Sequence, residues 1–306
     1  MSFGERFLEL PDLFPARASG ERCGGERATL RFAGEAFRLQ GLSEVQQLAL
    51  REKFAELPKN PVEGSQPVVS QLFRVPQSEF VEIGSREKTY VPEFDYAPHQ
   101  VRVAGWDFMA LLDWRRGRLA GSLWTSHDSG DQFLQACENY LRILTAYRLL
   151  EVGGVLLHCA GAVGGGGAFL FCGASGAGKS TITRLNLERG QTVLSDDLNG
   201  VRPVVGSMMV EPVPFAGDLR PSQISFQPRP LRAVLQLVKA PRPELRPLSP
   251  GQAVGMLLSC SPFVNQDPYR SERLLANLEE ISRSAPVQRL AFARETGFWR
   301  LLDSLS

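Results

Sequence analysis

The residues most able to do chemistry are Gly173, Ala174, Ser175, Gly176, Ala177, Gly178, Lys179 and Ser180, followed by Thr181: a complete G-x-x-x-x-G-K-[ST] pattern. A triphosphate is highly anionic, and a site for one needs many short-range donors with no side chains in the way. Glycines let backbone N–H groups turn inward around phosphate oxygens, and a helix that starts at the loop adds the positive end of its dipole. In that arrangement Lys179 reaches the β- and γ-phosphates as a point charge, and the Ser180 hydroxyl is a ligand for Mg²⁺. The flanks agree. An apolar, strand-like run over residues 168–172 leads into the loop, and residues 180–189 read as a helix that stops at Gly190. A merely structural glycine-rich turn is the alternative, and it leaves the Lys-Ser pair and the strand–loop–helix flanks unexplained.

Two more groups are placed to act on such a ligand. Residues 191–197 read as a short strand ending in the adjacent carboxylates Asp196 and Asp197, expected beside the strand that carries the loop, where ligands sit in open α/β sheets. One carboxylate there can hold Mg²⁺ directly or through water while the other accepts a proton from an incoming hydroxyl. Side chains alternate along a strand, so both can face one way only if the strand ends before them. A turn or helix N-cap is the other reading of the pair. His158 lies within the apolar run 155–160. It is either a core histidine satisfied by backbone or, because its strand should adjoin the loop's strand, an imidazole near the acidic pair, where a carboxylate would favour its protonated form. Gly164 to Gly167 join the runs 154–162 and 168–172. With no lysine and no helix after them, they read as a hairpin turn.

Those groups need a scaffold, and the rest of the chain supplies recognisable elements. Ser43 and Gln46 form a capping-box pattern, after which Val45, Leu48 and Phe54 recur at helical spacing until Pro58. Residues 61–76 are polar and proline-containing and read as loop or irregular edge. From Tyr90 to Trp124 the pattern is strand-like, with Arg115, Arg116, Gly117 and Arg118 as a turn between residues 108–114 and 119–124. Trp106, Trp114 and Trp124 are expected in or near the core of this α+β part, since no basic lining accompanies them as it would a base-stacking platform. Residues 131–150 give the clearest helix, with Phe133, Leu134, Cys137, Tyr140, Leu141, Leu144 and Tyr147 on one broad face. The domain boundary is placed there: an N-terminal unit over 1–148, open to a role in substrate or partner binding, and the loop-bearing unit over 149–306. Beyond it, residues 231–238 read as a strand, Ser249 and Pro250 as a helix start, 271–284 as a helix and 287–292 as a closing strand.

Composition sets the outer limits. The 306 residues allow one large domain or two ordinary ones. With 43% hydrophobic and 22% charged residues the chain can build a core, which excludes wholesale disorder. Lys plus Arg number 34 against 33 acidic residues, a balance that argues against a nucleic-acid coat or a polybasic membrane binder. Cys23, Cys137, Cys159, Cys172 and Cys260 are scattered, odd in number and without a CxxC pair, so neither a disulfide framework nor a zinc site is expected. Residues 1–7 lack a signal-peptide layout and no apolar run is long enough to span a bilayer, so a cytoplasmic location is expected.

The order His158 strand, glycine turn, phosphate loop and helix, then Ser195, Asp196 and Asp197 resembles the catalytic core of the bacterial HPr kinase/phosphorylase family over about residues 149–202. The segment Pro214, Phe215, Ala216, Gly217, Asp218 and the N-terminal unit look like the related, less characterised group of HPr-kinase-like proteins. The resemblance implies an α/β fold: a P-loop kinase core of the HPr kinase/phosphoenolpyruvate carboxykinase type with an N-terminal α+β unit. It implies transfer of a phosphoryl group from ATP to a protein serine. Carried over, Lys179 binds phosphate, Ser180 binds Mg²⁺, Asp196 is the catalytic base, Asp197 supports the metal or the geometry, and His158 sits against Asp196. The family's later signature, of the type LEVRGLG, is replaced here by a proline-rich stretch over residues 211–230. The resemblance therefore does not extend to phosphorylase activity, to HPr as substrate, or to the downstream acidic metal ligand, for which Glu211 and Asp218 are candidates. Arg220, Arg229 and Arg232 are candidates to stabilise the transferring phosphoryl group.

The expected activity is an ATP- and Mg²⁺-dependent kinase acting on a hydroxyl of a protein or peptide, with no nucleic-acid or membrane partner and with homo-oligomerisation left open. An ATP-sensing binding module without phosphotransfer, a small-molecule kinase, and a phosphoenolpyruvate carboxykinase-like enzyme are the alternatives.

Overall fold

The computed structural model describes residues 21–59, 66–76, 92–105, 108–215, 217–219, 223–293 and 296–305. The chain is a mixed α/β protein with two sheets. It divides into two units, one running to Arg31 and from Glu35 to Leu144, the other holding Phe32–Gly34 and Thr145–Ser306.

The first unit contains β1 (Glu21–Arg22), β2 (Glu26–Phe32), β3 (Glu35–Leu42), α1 (Glu44–Lys53), β4 (Val68–Arg74), β5 (Glu93–Ala97), β6 (Gln100–Gly105), β7 (Phe108–Arg115), β8 (Arg118–Thr125) and most of α2 (Gly130–Glu151). Its sheet runs β2-β3-β4-β8-β7-β6-β5, with β1 on β4. The capping box at Ser43 forms, its hydroxyl accepting from Gln46 N–H while the Gln46 side chain accepts from Ser43 N–H. The face counted as apolar is partly outward: Val45 and Leu48 are exposed, and Gln46 and Leu50 turn inward. The expected loop over residues 61–76 needs correction. Its described part holds β4, an interior strand lying parallel to both β3 and β8. Ser70, at the middle of that strand, is buried because its hydroxyl meets the Tyr140 hydroxyl of α2 at 2.6 Å. Arg116 and Gly117 take positive φ of 52° and 74°, the turn that joins β7 to β8. Trp124 is buried and stacks on Phe73 at 5.5 Å, Trp114 is half-buried, and Trp106 lies outside the described residues.

The second unit contains β9 (Val155–Gly164), β10 (Gly167–Cys172), α3 (Lys179–Glu188), β11 (Val193–Ser195), β12 (Leu198–Val204), β13 (Ser207–Pro212), β14 (Arg229–Lys239), β15 (Glu244–Pro247), α4 (Pro250–Ser259), α5 (Ser271–Ser284), β16 (Val287–Phe292) and α6 (Trp299–Leu302). Its sheet order is β10-β9-β12-β13-β14-β16-β15, and β10 also pairs with β14. β9 serves three ladders. Its first half, to His158, pairs with β12, and from Cys159 onward it pairs with β10. β14 likewise leaves β13 at Pro230 and runs parallel to β10 and β16. Gly165 and Gly166 make the hairpin turn between β9 and β10 with φ of 55° and 78°. β10, with all six residues buried, continues into the glycine loop. The strand over 191–197 was expected beside β10; instead β11 pairs antiparallel with β9 at Gly161 and Ala162, and the remaining edge of β10 is taken by β14.

α3 is fixed by its buried face. Ile182 and Leu185 pack with Ala160 and Ala162 of β9, Phe169 and Phe171 of β10, and Phe292 and Trp299. Its far end is tied by Trp299 Nε1–H donating to Asn186 Oδ1 at 2.7 Å. Among the described residues no helix is long and apolar enough to cross a membrane. Removing the buried Ile182 side chain by Ile182→Ala is expected to lower stability by about 2–5 kcal/mol, whereas Val45→Ser, at an exposed site, changes it by less than about 0.5 kcal/mol. Chemical denaturation of both variants checks this; similar losses in the two would refute the assignment of α3 to the core.

Candidate phosphate-binding cleft

The loop of residues 173–180 joins the end of β10 to the start of α3, and its shape follows from glycine. Gly178 caps the helix at φ 115°, a region that disfavours other residues, and among the described residues no side chain caps the first N–H groups of α3. By contrast, α1 and α4 begin with serine capping boxes. The opening N–H groups of α3 are thus left for a ligand, with the positive end of the helix dipole behind them. Lys179 folds back over the loop, its Nζ donating to the Gly173 carbonyl at 2.8 Å. Ala174, Ser175, Gly176 and Ser180 are exposed along the rim.

Facing the loop are the carboxylates. β11 ends at Ser195, whose hydroxyl accepts from the N–H groups of Asp197 and Leu198, both at 3.2 Å. That turn breaks the strand alternation, so both Asp196 and Asp197 line the cleft. They are held differently. Asp196 is 9% exposed, and its two oxygens accept the N–H groups of Gly217 at 2.8 Å and Asp218 at 2.7 Å. Asp197 faces His158, whose Nε2 lies 3.2 Å from Oδ1. The expected contact of His158 with Asp196 is therefore corrected to Asp197. The reason is local: His158 pairs in register with Leu198, the residue next to Asp197, and Cys159 N–H donates to the Asp197 carbonyl. The imidazole is half-exposed at the cleft, not a core group satisfied by backbone.

The segment carrying Gly217 and Asp218 is anchored by Phe215, fully buried edge-on against Phe32 at 5.4 Å. It brings Asp218 to the cleft. The other candidate acid, Glu211, is buried in an ion pair with Arg202 at 3.0 Å and does not line the cleft. Of the arginines considered, Arg232 bonds the Gly165 carbonyl at the opposite end of β10, Arg229 bonds Gln227, and Arg220 lies outside the described residues. A cation that does line the cleft, besides Lys179, is Lys239, the last residue of β14, three positions beyond the partner of Cys172. Its signal was available: a lysine ending a strand read as part of the sheet, where ligands gather.

His158, residues 174–176 and 178–181, Asp196, Asp197, Gly217, Asp218 and Lys239 together enclose an open cavity of about 350 Å³. Gly173 and Ala177 support the loop from below, with Ala177 N–H bonded to the Ala174 carbonyl. Cys172, opposite Cys159 in the ladder, is no nucleophile here: its hydrogen bond with Cys159 and its burial push the thiol well above its ordinary range.

No protein-family model and no curated protein matches the chain. Among solved structures it is similar to the HPr(Ser) kinase/phosphatase from Coxiella burnetii, with 12% sequence identity and a TM-score of 0.29 over 49% of this chain and 87% of that one. That likeness is weak and confined to the fold.

Asp196→Ala removes the acceptor of two backbone N–H groups and is expected to speed amide exchange at Gly217 and Asp218 by about tenfold or more, the loss of about 1–3 kcal/mol of local protection. Asp197→Ala should leave those two amides unchanged. Hydrogen-exchange mass spectrometry of the two variants decides it, and equal exchange in both would show that Asp196 does not hold the segment.

Proposed function

We propose that the chain is a kinase that uses ATP and Mg²⁺ to phosphorylate a hydroxyl group, in the first place a serine of a protein or peptide. The observation that carries this reading is that the glycine loop with its uncapped helix and the carboxylate–imidazole pair line one open cavity. A phosphate chain on the loop and an acceptor hydroxyl by Asp197 would meet there.

Each residue then has a task. The loop and first-turn N–H groups surround the phosphate oxygens, and Lys179 moves from the Gly173 carbonyl to the β- and γ-phosphates. Ser180 and Asp218 offer hard oxygen donors that suit Mg²⁺, which takes one or two carboxylates and completes its shell with phosphates and water. Among the described residues no cluster of three or more His, Cys, Asp or Glu side chains forms a cage, and a metal held largely by phosphate needs none. When bound, Mg²⁺ would neutralise charge on the β- and γ-phosphates. The geometry favours exchanging the roles expected of the two aspartates. Asp197, with 24% of its side chain exposed and His158 at 3.2 Å, takes the proton of the acceptor hydroxyl. His158 Nε2–H orients that carboxylate. Asp196, with both oxygens engaged by backbone, keeps the Gly217–Asp218 edge of the cleft in place.

Incubation with labelled ATP, Mg²⁺ and candidate acceptor peptides tests this. Lys179→Ala should weaken nucleotide binding by about tenfold or more, an effect of at least ~1.4 kcal/mol. Asp197→Asn should leave binding nearly unchanged and lower turnover by about 10²–10⁴-fold, with Asp196→Asn reducing it less. Unchanged turnover in Asp197→Asn would remove it as the base. Tight nucleotide binding with no transfer to any hydroxyl would replace the kinase with a nucleotide-sensing module.

A further inference from the structure

At the turn joining β2 to β3 the chain is buried where hairpins usually stand in solvent. Ala33 and Gly34 take positive φ of 53° and 67°, the two-residue geometry that suits a hairpin. Connecting turns normally run over the surface, yet Phe32 and Ala33 are only 4% and 2% exposed. Ala33 keeps a left-handed conformation despite its Cβ, a strain that persists where the surroundings hold a residue in place. Those surroundings belong to the second unit, with which Phe32–Gly34 are grouped. Ala33 N–H donates to the carbonyl of Pro212, the last residue of β13, at 3.4 Å. The Phe32 ring meets Phe215 edge-on. Gly34 lies against the Arg202 guanidinium, which a Cβ there would overlap, and Arg202 is itself paired with buried Glu211.

What these contacts hold is the segment that builds the acidic edge of the cleft. Beyond Pro212 the chain leaves β13, and Val213 and Phe215 are fully buried before Gly217 and Asp218 reach the cleft. The N–H groups of those two residues engage both oxygens of Asp196, at 2.8 and 2.7 Å. Asp196 is thus oriented by backbone whose own position depends on a turn far earlier in the chain. We infer that Phe32 is a positioning residue for the cleft. With Ala33 it sets where Gly217 and Asp218 stand, and so how the carboxylates of Asp196 and Asp218 face the phosphate loop. It does this without touching substrate. Its effect on phosphoryl transfer rests on the kinase reading above, whereas its effect on the segment does not. The phosphate loop is carried separately, by β10 and α3. Loss of the tie therefore disturbs the acidic edge and leaves anion binding at the loop in place.

Phe32→Ala removes the ring edge, and Gly34→Ala strains the turn from its other side while keeping Phe32. Thermal unfolding confirms that each variant folds, and Phe32→Leu, which keeps most of the apolar volume, is the conservative replacement. Hydrogen-exchange mass spectrometry should show the Gly217 and Asp218 amides exchanging about tenfold or more faster in both Ala variants. The Ile182 amide of α3, bonded to the Gly178 carbonyl, should keep its rate. With labelled ATP, turnover should fall by about tenfold or more while ATP affinity stays within about threefold. Phe32→Leu should recover most of the loss. Unchanged exchange at the two amides would overturn the assignment, as would faster exchange spread evenly over the second unit, which marks general loosening. Turnover falling in step with ATP affinity would overturn it too, because the loop would then be what moved. The exchange measurement needs no catalysis. A wild type that transfers no phosphate would sink the kinase reading and still leave the positioning to be decided by the amides.

Discussion

The opening turn of α3 begins with N–H groups that have no intrahelical partner, and among the described residues no side chain caps this end. Much of the second unit is arranged around that unfilled demand. Ile182 and Leu185 seat the helix on β9 and β10, fixing where its N-terminus points. β10 is buried along its whole length, so the chain must turn sharply on leaving it, and Gly178 in a left-handed conformation makes the turn without a clash against Phe292. Replacing that glycine would introduce both backbone strain and overlap with a core aromatic.

The acidic wall is built by a different device. Ser195 ends β11 by drawing two following N–H groups onto its hydroxyl, and this presents consecutive aspartates to one side. Once there, they diverge. Asp196 spends both oxygens on the backbone of a segment some twenty residues later, which Phe215 pins to the core. Asp197 keeps its outward aspect and meets His158. That meeting depends on the register of β9 against β12, which sets His158 opposite Leu198, the residue next to Asp197. A one-residue slip there would turn the imidazole to the opposite face.

How much of this the sequence discloses depends on range. The capping box at Ser43, the helix start at Ser249 and Pro250, the glycine turn at residues 164–167, and α5 over Ser271–Ser284 are set by neighbours within a few residues, and they are readable as such. β4 is not. The prolines on either side of it and its own polar residues look like loop, and only parallel pairing with β3 and β8, together with the Tyr140 hydroxyl that satisfies Ser70, makes it interior. The same limit explains the neighbour of β10. Proximity in sequence suggests residues 191–197, yet the place goes to β14, about sixty residues on, because a parallel partner must return by a crossover. At the site, residue types and their spacing identify the loop, Asp196, Asp197 and His158. Which aspartate the histidine meets depends on register, which composition does not carry.

The same contrast applies to charge. Two lysines and three aspartates line the cleft, so its ionisable side chains, apart from His158, do not amount to a positive patch. The nearly neutral net charge of the whole chain adds no long-range attraction. A polyanion there would have to be held by short-range donors: backbone N–H groups, the dipole of α3 and the two lysines. The carboxylates of the cleft oppose a bare polyanion, and a divalent cation arriving with it would lessen that repulsion.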